Sequence, residues 1–246
     1  MAASSEYQAL YRRYRPQRFD ELRGQDHVAR ALKNAVANER IGHAYLFSGP
    51  RGTGKTTTAR ILAKVLNCEA TVDGEPCCTC SSCVAVQSGS SFDVIELDAA
   101  SNRSIEDIRE IIATAALGSP GRHKVYILDE VHQAHCTGGC RPLEDARGAA
   151  VPRRVRAGNH RSEKVPETIR SRTQHLQFHL LPVDDLEKHV KWVASDAGIE
   201  LDERGLESVL RQGGGSARDT LSPSSCWPRL VAHSMSQLQS TSSSRL

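Results

Sequence analysis

The 246-residue sequence contains no apolar run long enough to span a bilayer, and Met1-Ala2-Ala3-Ser4-Ser5 carries no charged-then-apolar leader. Both absences predict a cytoplasmic protein that does not touch membranes. Its eight cysteines then need a role other than disulfides, because a reducing compartment keeps thiols free. Net charge is only +3, which by itself points to no partner. Residues 134–162 hold six Arg against Glu144 and Asp145, so this window is at +4 and the rest of the chain at −1. The same window is poor in aliphatics, with Leu143, Val151 and Val155 its only large ones, and shows no strand or amphipathic-helix pattern. From Ser222 onward the chain has no acidic residue, nine Ser in 25 residues and no period, which predicts disorder. No carboxylate set suited to nucleotidyl transfer is visible.

What is present centres on Gly49-Pro50-Arg51-Gly52-Thr53-Gly54-Lys55-Thr56, preceded by the apolar Ala44-Tyr45-Leu46-Phe47 and followed by a helical pattern from Thr57 to Leu66. Strand, glycine-rich loop and helix in that order make a phosphate cradle. The glycines let successive N–H groups point inward and the helix N-terminus adds partial positive charge. Lys55 neutralises phosphate, and the Thr56 hydroxyl is placed to ligate Mg²⁺. Downstream, Lys124-Val125-Tyr126-Ile127-Leu128-Asp129-Glu130 reads as a buried parallel strand ending in two carboxylates. Asp129 can hold Mg²⁺ opposite Thr56, while Glu130 can polarise a water for attack on a γ-phosphate. The two motifs together predict ATP or GTP hydrolysis.

Upstream, Tyr11-Arg12-Arg13-Tyr14-Arg15-Pro16 is an aromatic and basic arm that could close over a purine or simply be a solvated segment with two packed tyrosines. Val28, Leu32, Ala35 and Val36 recur at helical spacing between Asp26 and Glu39. Phe92 to Leu97 reads as a strand. Ser101 to Ala113 opens a helix, with Arg103 and Ser104 at its N-terminus, where a cap or an anionic ligand would sit. Beyond Pro182, Val183 to Ala197 and Asp202 to Leu210 are amphipathic helices.

Cys68, Cys77, Cys80 and Cys83 form a C-x8-C-x2-C-x2-C array, with Cys78 the odd one out. Thiolates two residues apart can turn toward one ion, and four complete a closed tetrahedral Zn²⁺ site of structural type.

Taken together, these residues resemble the bacterial DNA polymerase III gamma/tau family, clamp-loader ATPases of the AAA+ class. The resemblance rests on Tyr11 to Pro16, Gly24-Gln25, the phosphate loop, the inserted four-cysteine module, Asp98-Ala99-Ala100-Ser101 and Asp129-Glu130; it resumes from Glu163-Lys164-Val165-Pro166 to Leu221. It implies an α/β fold: a parallel-sheet AAA+ module over 1–181, with the zinc module at 67–90, then a short helical lid over 182–221, truncated, and an aberrant tail over 222–246. It implies that Tyr14, Arg15, Pro16 and Val28 enclose adenine and that residues 49–57, Thr57 included, hold the phosphates of ATP. It also implies that Arg172, in Ile169-Arg170-Ser171-Arg172-Thr173, is an arginine finger for a neighbouring subunit's ATP, and that Arg218, in Gly215-Ser216-Ala217-Arg218-Asp219, contacts phosphate. The implied partners are other clamp-loader subunits in a heteropentamer, the sliding clamp, primed DNA and the replicative polymerase.

Between Gln133 and Glu163 the resemblance lapses, although the family has a helix and a buried strand there. Codons for Ala157 to Ser162 can be chosen so that a shifted frame spells Leu-Ala-Thr-Thr-Asp-Pro, the family's sensor strand, and similar choices work at 143–150 and after Leu221. Out-of-frame translation is therefore the expectation for 134–162 and the tail, against the alternative of a basic disordered insertion that binds nucleic acid. The expected cost is loss of the polar first-sensor residue and a weakly stable sheet, with Arg153, Arg154 and Arg156 where an apolar strand belongs.

Overall fold

Element by element, a computed structural model describes residues 9–98, 123–129, 154–159, 171 and 173–222. It divides into two units, one from Pro16 to His179 and the other joining the residues up to Arg15 with those from Leu180. The described residues of the opening arm up to Arg15 thus group with the C-terminal helices, and Pro16 with the sheet.

In the sheet unit, β1 (Ala44–Ser48) lies between β4 (Arg154–Asn159) and β5 (Gln174–Gln177), all parallel. Tyr45, Leu46 and Phe47 are buried in sequence, as a strand covered on both faces requires. β2 (Val94–Asp98) and β3 (Val125–Asp129) form a second parallel pair, running in register from Val94 with Val125 to Asp98 with Asp129. β3 lies beside β4, where the two-stranded and three-stranded sheets adjoin. Phe92, expected inside the first strand of this pair, instead precedes it and is 85% exposed.

α1 (Leu10–Arg13) precedes a 3-10 turn at Phe19–Glu21 and α2 (Asp26–Ala37), which buries Val28 and Leu32 of the predicted face together with Ala29, leaving Ala35 and Val36 half-buried. α3 (Lys55–Asn67) follows the phosphate loop and is the central helix, with Ile61, Leu62 and Ala63 nearly or wholly buried. α4 (Ser81–Ser88) ends in a left-handed Gly89. Two amide clamps tie loops to this core. Gln25, 1% exposed, donates from Nε2 to the His179 carbonyl at 2.7 Å and accepts from the His179 N–H at 3.2 Å. Asn67 pairs in the same two-sided way with the main chain of His123, both bonds at 2.8 Å. Each fixes the chain next to a strand end.

The expectation that the basic window holds no strand does not hold over 154–159. Arg154 stands opposite Ala44, Val155 opposite Tyr45 and Arg156 opposite Leu46; then β4 carries one extra residue before Asn159 meets Ser48. A ladder is joined by main-chain N–H and C=O groups that every residue but proline supplies, so an adjacent strand can impose pairing where side-chain pattern gives no sign of it. The extra residue is a bulge beside Gly158, the position in the strand with the least side-chain constraint.

The helical unit contains α5 (Val183–Ala197), α6 (Glu203–Gly213) and α7 (Ala217–Thr220), packed around Val190, Val193, Ala194, Val209 and Leu221 with Leu10, Tyr11 and Tyr14 of the arm against them. α6 and α7 start on side-chain caps: Asp202 accepts from the Gly205 N–H at 2.8 Å and Ser216 from the Asp219 N–H at 3.2 Å. Asp184 and Asp185 sit in the first turn of α5, favourably placed for its dipole.

A candidate nucleotide site and a four-cysteine centre

β1 ends at Ser48, and the chain then makes the predicted loop. Gly49 takes φ +133°, and a Cβ there would lie 2.2 Å from the Phe178 carbonyl oxygen, so no other residue fits. Phe178 in turn donates its N–H to the Ser48 carbonyl at 2.7 Å, which presses the chain leaving β5 onto the loop. Thr53 Oγ1 closes the loop on the Pro50 carbonyl at 2.8 Å. Lys55 Nζ lies inside the curl, donating to the carbonyls of Gly49 at 2.9 Å and Pro50 at 2.5 Å. Burial pushes this ammonium down to about 8, with the Asp129 carboxylate opposing the shift.

Thr56 Oγ1 donates to Asp129 Oδ2 at 3.0 Å, bringing the first turn of α3 to the carboxyl end of β3. Neighbouring ligands of an octahedral Mg²⁺ lie about 2.9 Å apart, so these two oxygens fit one such ion. Asp98 ends β2 level with Asp129. Asn159 stands at the carboxyl end of β4, opposite Ser48 in the backbone register.

Of the other predicted site residues, Pro50 and Arg51 are exposed, Gly52 and Thr57 half-buried, and Gly54 caps α3 in a left-handed conformation. Val28 is wholly buried in the core of the sheet unit, to which Pro16 also belongs; Tyr14 and Arg15 belong to the helical unit. There Tyr14 Oη donates to Asp196 Oδ2 at 2.6 Å, and burial followed by this bond pushes the phenol up from its usual range. The Arg218 guanidinium stands 5.6 Å from the Tyr11 ring centroid in the same unit. Glu130 and Arg172 lie outside the described residues, as do Arg103, Ser104, the helix expected from Ser101 to Ala113 and residues 223–246.

At the other end of α3, Cys68 is the helix's C-cap. The sulfurs of Cys68, Cys77, Cys80 and Cys83 all lie within 4.8 Å of one another, with Cys77 and Cys83 4.0 Å apart. Sulfurs around a tetrahedral Zn²⁺ are about 3.8 Å apart, so the donor set fits that ion. Main-chain N–H groups of Cys77 and Cys80 point at the sulfurs of Cys68 and Cys77, each at 3.3 Å. The N–H groups of Thr79 and Cys80 pull the Cys77 thiol down to about 5, whereas burial pushes Cys68 and Cys83 up. Cys78 stands outside the cluster, its Sγ 3.6 Å from the Gln17 carbonyl.

Parallel-paired strands behind a phosphate loop, with a Thr and an Asp meeting at its helix, define a P-loop fold of the AAA+ type. The solved structure of the Thermotoga maritima RuvB Holliday junction branch migration motor shares this fold, with a TM-score of 0.58 at 21% identity, covering 85% of this chain and 63% of that one. A protein-family profile described as DNA polymerase III, delta subunit, matches residues 24–138. The DNA polymerase III subunit gamma/tau of Mycobacterium tuberculosis (strain ATCC 25618 / H37Rv) is 43% identical over 218 residues, spanning 87% of this chain and 38% of that protein. DNA polymerase III subunit tau of Bacillus subtilis (strain 168) is 39% identical over 220 residues, 88% of this chain and 38% of that protein. Over the part it spans, the chain belongs to the DNA polymerase III gamma/tau family. It matches about 38% of the length of those relatives.

Proposed function

We propose that this chain is the ATP-binding and hydrolysing part of a cytoplasmic clamp-loader subunit of replicative DNA polymerase III, acting with other clamp-loader subunits to load a sliding clamp onto primed DNA. The observation that carries the reading is the meeting of Thr56 and Asp129 at 3.0 Å beside a loop that folds around Lys55. In this reading residues 49–57 wrap the triphosphate with main-chain N–H groups, and Lys55 exchanges its two loop carbonyls for phosphate oxygens. Thr56 and Asp129 hold Mg²⁺, which when bound offsets the charge gathering on the β- and γ-oxygens. Glu130 orients the attacking water. Tyr14, Arg15, Pro16 and Val28 enclose the adenine, Arg218 reaches phosphate from a helical lid formed by α5 to α7, and Cys68, Cys77, Cys80 and Cys83 hold Zn²⁺.

Arg172 acts on a neighbour's ATP. A finger given in trans is worth about 10³- to 10⁵-fold where GTPases supply the comparison, so the isolated chain turns over slowly. The test is steady-state ATP hydrolysis with and without partner subunits, clamp and primed DNA. Stimulated turnover that Arg172→Ala removes is the expected result; ATPase indifferent to partners and clamp contradicts the reading.

A second reading has one observation of its own. The register puts Arg154 and Arg156 on β4, paired with the buried β1 and lying beside β3. This favours an out-of-frame segment in a chain that binds ATP, hydrolyses it poorly and melts at low temperature. Restoring the shifted frame over 134–162 should then raise both melting temperature and turnover; no change in either, or a gene whose intact frame encodes these residues, removes this reading.

A further inference from the structure

The four-cysteine module does more than close on itself. Val72-Asp73-Gly74-Glu75 is a two-residue hairpin turn, bonded both ways between Val72 and Glu75, with Asp73 and Gly74 both at positive φ. The tip is pressed on α2: a Cβ on Gly74 would lie 3.0 Å from the Lys33 carbonyl oxygen. That placement presents Glu75 inward, 6% exposed, where an unpartnered carboxylate would be costly. Its Oε2 accepts from the Phe19 N–H at 2.8 Å, and its Oε1 from the Asp20 N–H at 3.1 Å. Lys33 Nζ completes the group, 3.2 Å from Glu75 Oε1 and 2.8 Å from Asp20 Oδ1.

The neighbouring residues are held from the same module. Arg18 donates to the Cys77 carbonyl at 3.3 Å, and the Cys78 thiol faces the Gln17 carbonyl. Lys64, 2% exposed on the last turns of α3, donates to Gln17 Oε1 and, at 3.3 Å, to Gln87 Oε1 of α4. Four consecutive residues, 17 to 20, are therefore each bonded to the module or to the helix that leads into it. The fixed segment ends on the phosphate loop: Leu22, 6% exposed, has its Cδ2 3.9 Å from where a Cβ on Gly54 would stand.

We propose that the four-cysteine module is the anchor of the segment that closes over a purine nucleotide, with Glu75 the positioning residue that holds residues 17–22 against the phosphate loop. This rests on the ATP-binding reading and adds to it a role for a module that otherwise only folds. Glu75 touches no ligand. It acts through Phe19 and Asp20, three residues after Pro16 and two before Leu22, with Phe19, Leu22 and Val28 in one core cluster. Losing the anchor frees the wall on the base side and leaves the loop that grips phosphate intact.

The experiment compares Glu75→Ala, Glu75→Gln and the unchanged chain, each zinc-loaded, by displacement of a fluorescent ATP analogue with ATP and with inorganic tripolyphosphate. Hydrogen exchange of residues 17–22 is followed without nucleotide. Two charge-assisted bonds are lost in Glu75→Ala, so ATP affinity should fall about tenfold while tripolyphosphate affinity changes less than about twofold. Residues 17–22 should exchange faster at unchanged zinc stoichiometry. Glu75→Gln, which keeps one acceptor, should fall between. Unchanged ATP affinity, unchanged exchange, or an equal loss for both ligands with or without loss of metal overturns the proposal. If the unchanged chain binds neither ligand, the ATP-binding reading fails and this role fails with it; faster exchange in Glu75→Ala would still show that the anchor itself exists.

Discussion

The two ends of α3 carry two centres of opposite design. At its N-terminus Gly54 opens the helix, Lys55 donates to carbonyls of the loop and Thr56 to Asp129; at its C-terminus Cys68 closes it and begins a cluster of four sulfurs. The proposed nucleotide end consists of a loop, a buried lysine and two oxygens that meet at 3.0 Å. The second is a set of four thiols, enough to close a tetrahedral site of the structural type proposed above. A thirteen-residue helix separates the two.

Breaking the first end should have the largest effect. Lys55→Ala should lower ATP affinity by about a hundredfold, since a charge-assisted contact to phosphate is lost and no neighbour replaces it. Zinc content should stay unchanged, measured on the same sample. Breaking the second end with Cys68→Ser should take bound zinc from about one per chain to none and lower the melting temperature, because ligand binding to a structural site is folding free energy. Tripolyphosphate should still bind. If instead Lys55→Ala releases zinc, the two ends are not separable.

A smaller effect comes from pH. Without ligand Lys55 loses its proton near pH 8 rather than near 10.5. Between those values the unfolded chain holds a proton that the folded chain lacks, so this lysine's unfavourable contribution to stability is full below about pH 8 and fades above it. Bound phosphate needs the ammonium, so ATP affinity should decline as pH rises from 7 to 9, with proton uptake on binding measurable by calorimetry in two buffers. An affinity that is flat over that range contradicts the burial of Lys55. The smallest change belongs to neither end: Ser216→Ala removes the cap of α7 and should cost about 1 kcal/mol, read as a small shift in urea midpoint.

How much of this was legible depends on how local each signal is. The phosphate loop, the four sulfurs and the Thr56 and Asp129 pairing are encoded by spacing along short stretches, and the structure brings each set together. Gln25, Asn67 and Glu75 carry as much of the architecture, yet a lone amide or carboxylate in sequence gives no hint of a main-chain partner 154, 56 or 56 residues away. The family resemblance marked Gln25 without saying what it holds. β4 is the extreme case. Its residues have no apolar alternation, and only the neighbouring backbone of β1 reveals it as a strand.

The most direct measurement is calorimetric titration of ATP into the purified chain, with and without Mg²⁺, for the unchanged protein and for Asp129→Asn. The account predicts saturable binding that Mg²⁺ strengthens in the unchanged chain and no longer strengthens in Asp129→Asn. Binding that ignores Mg²⁺ in both, or no binding in either, would contradict the meeting of Thr56 and Asp129 as the heart of a nucleotide site.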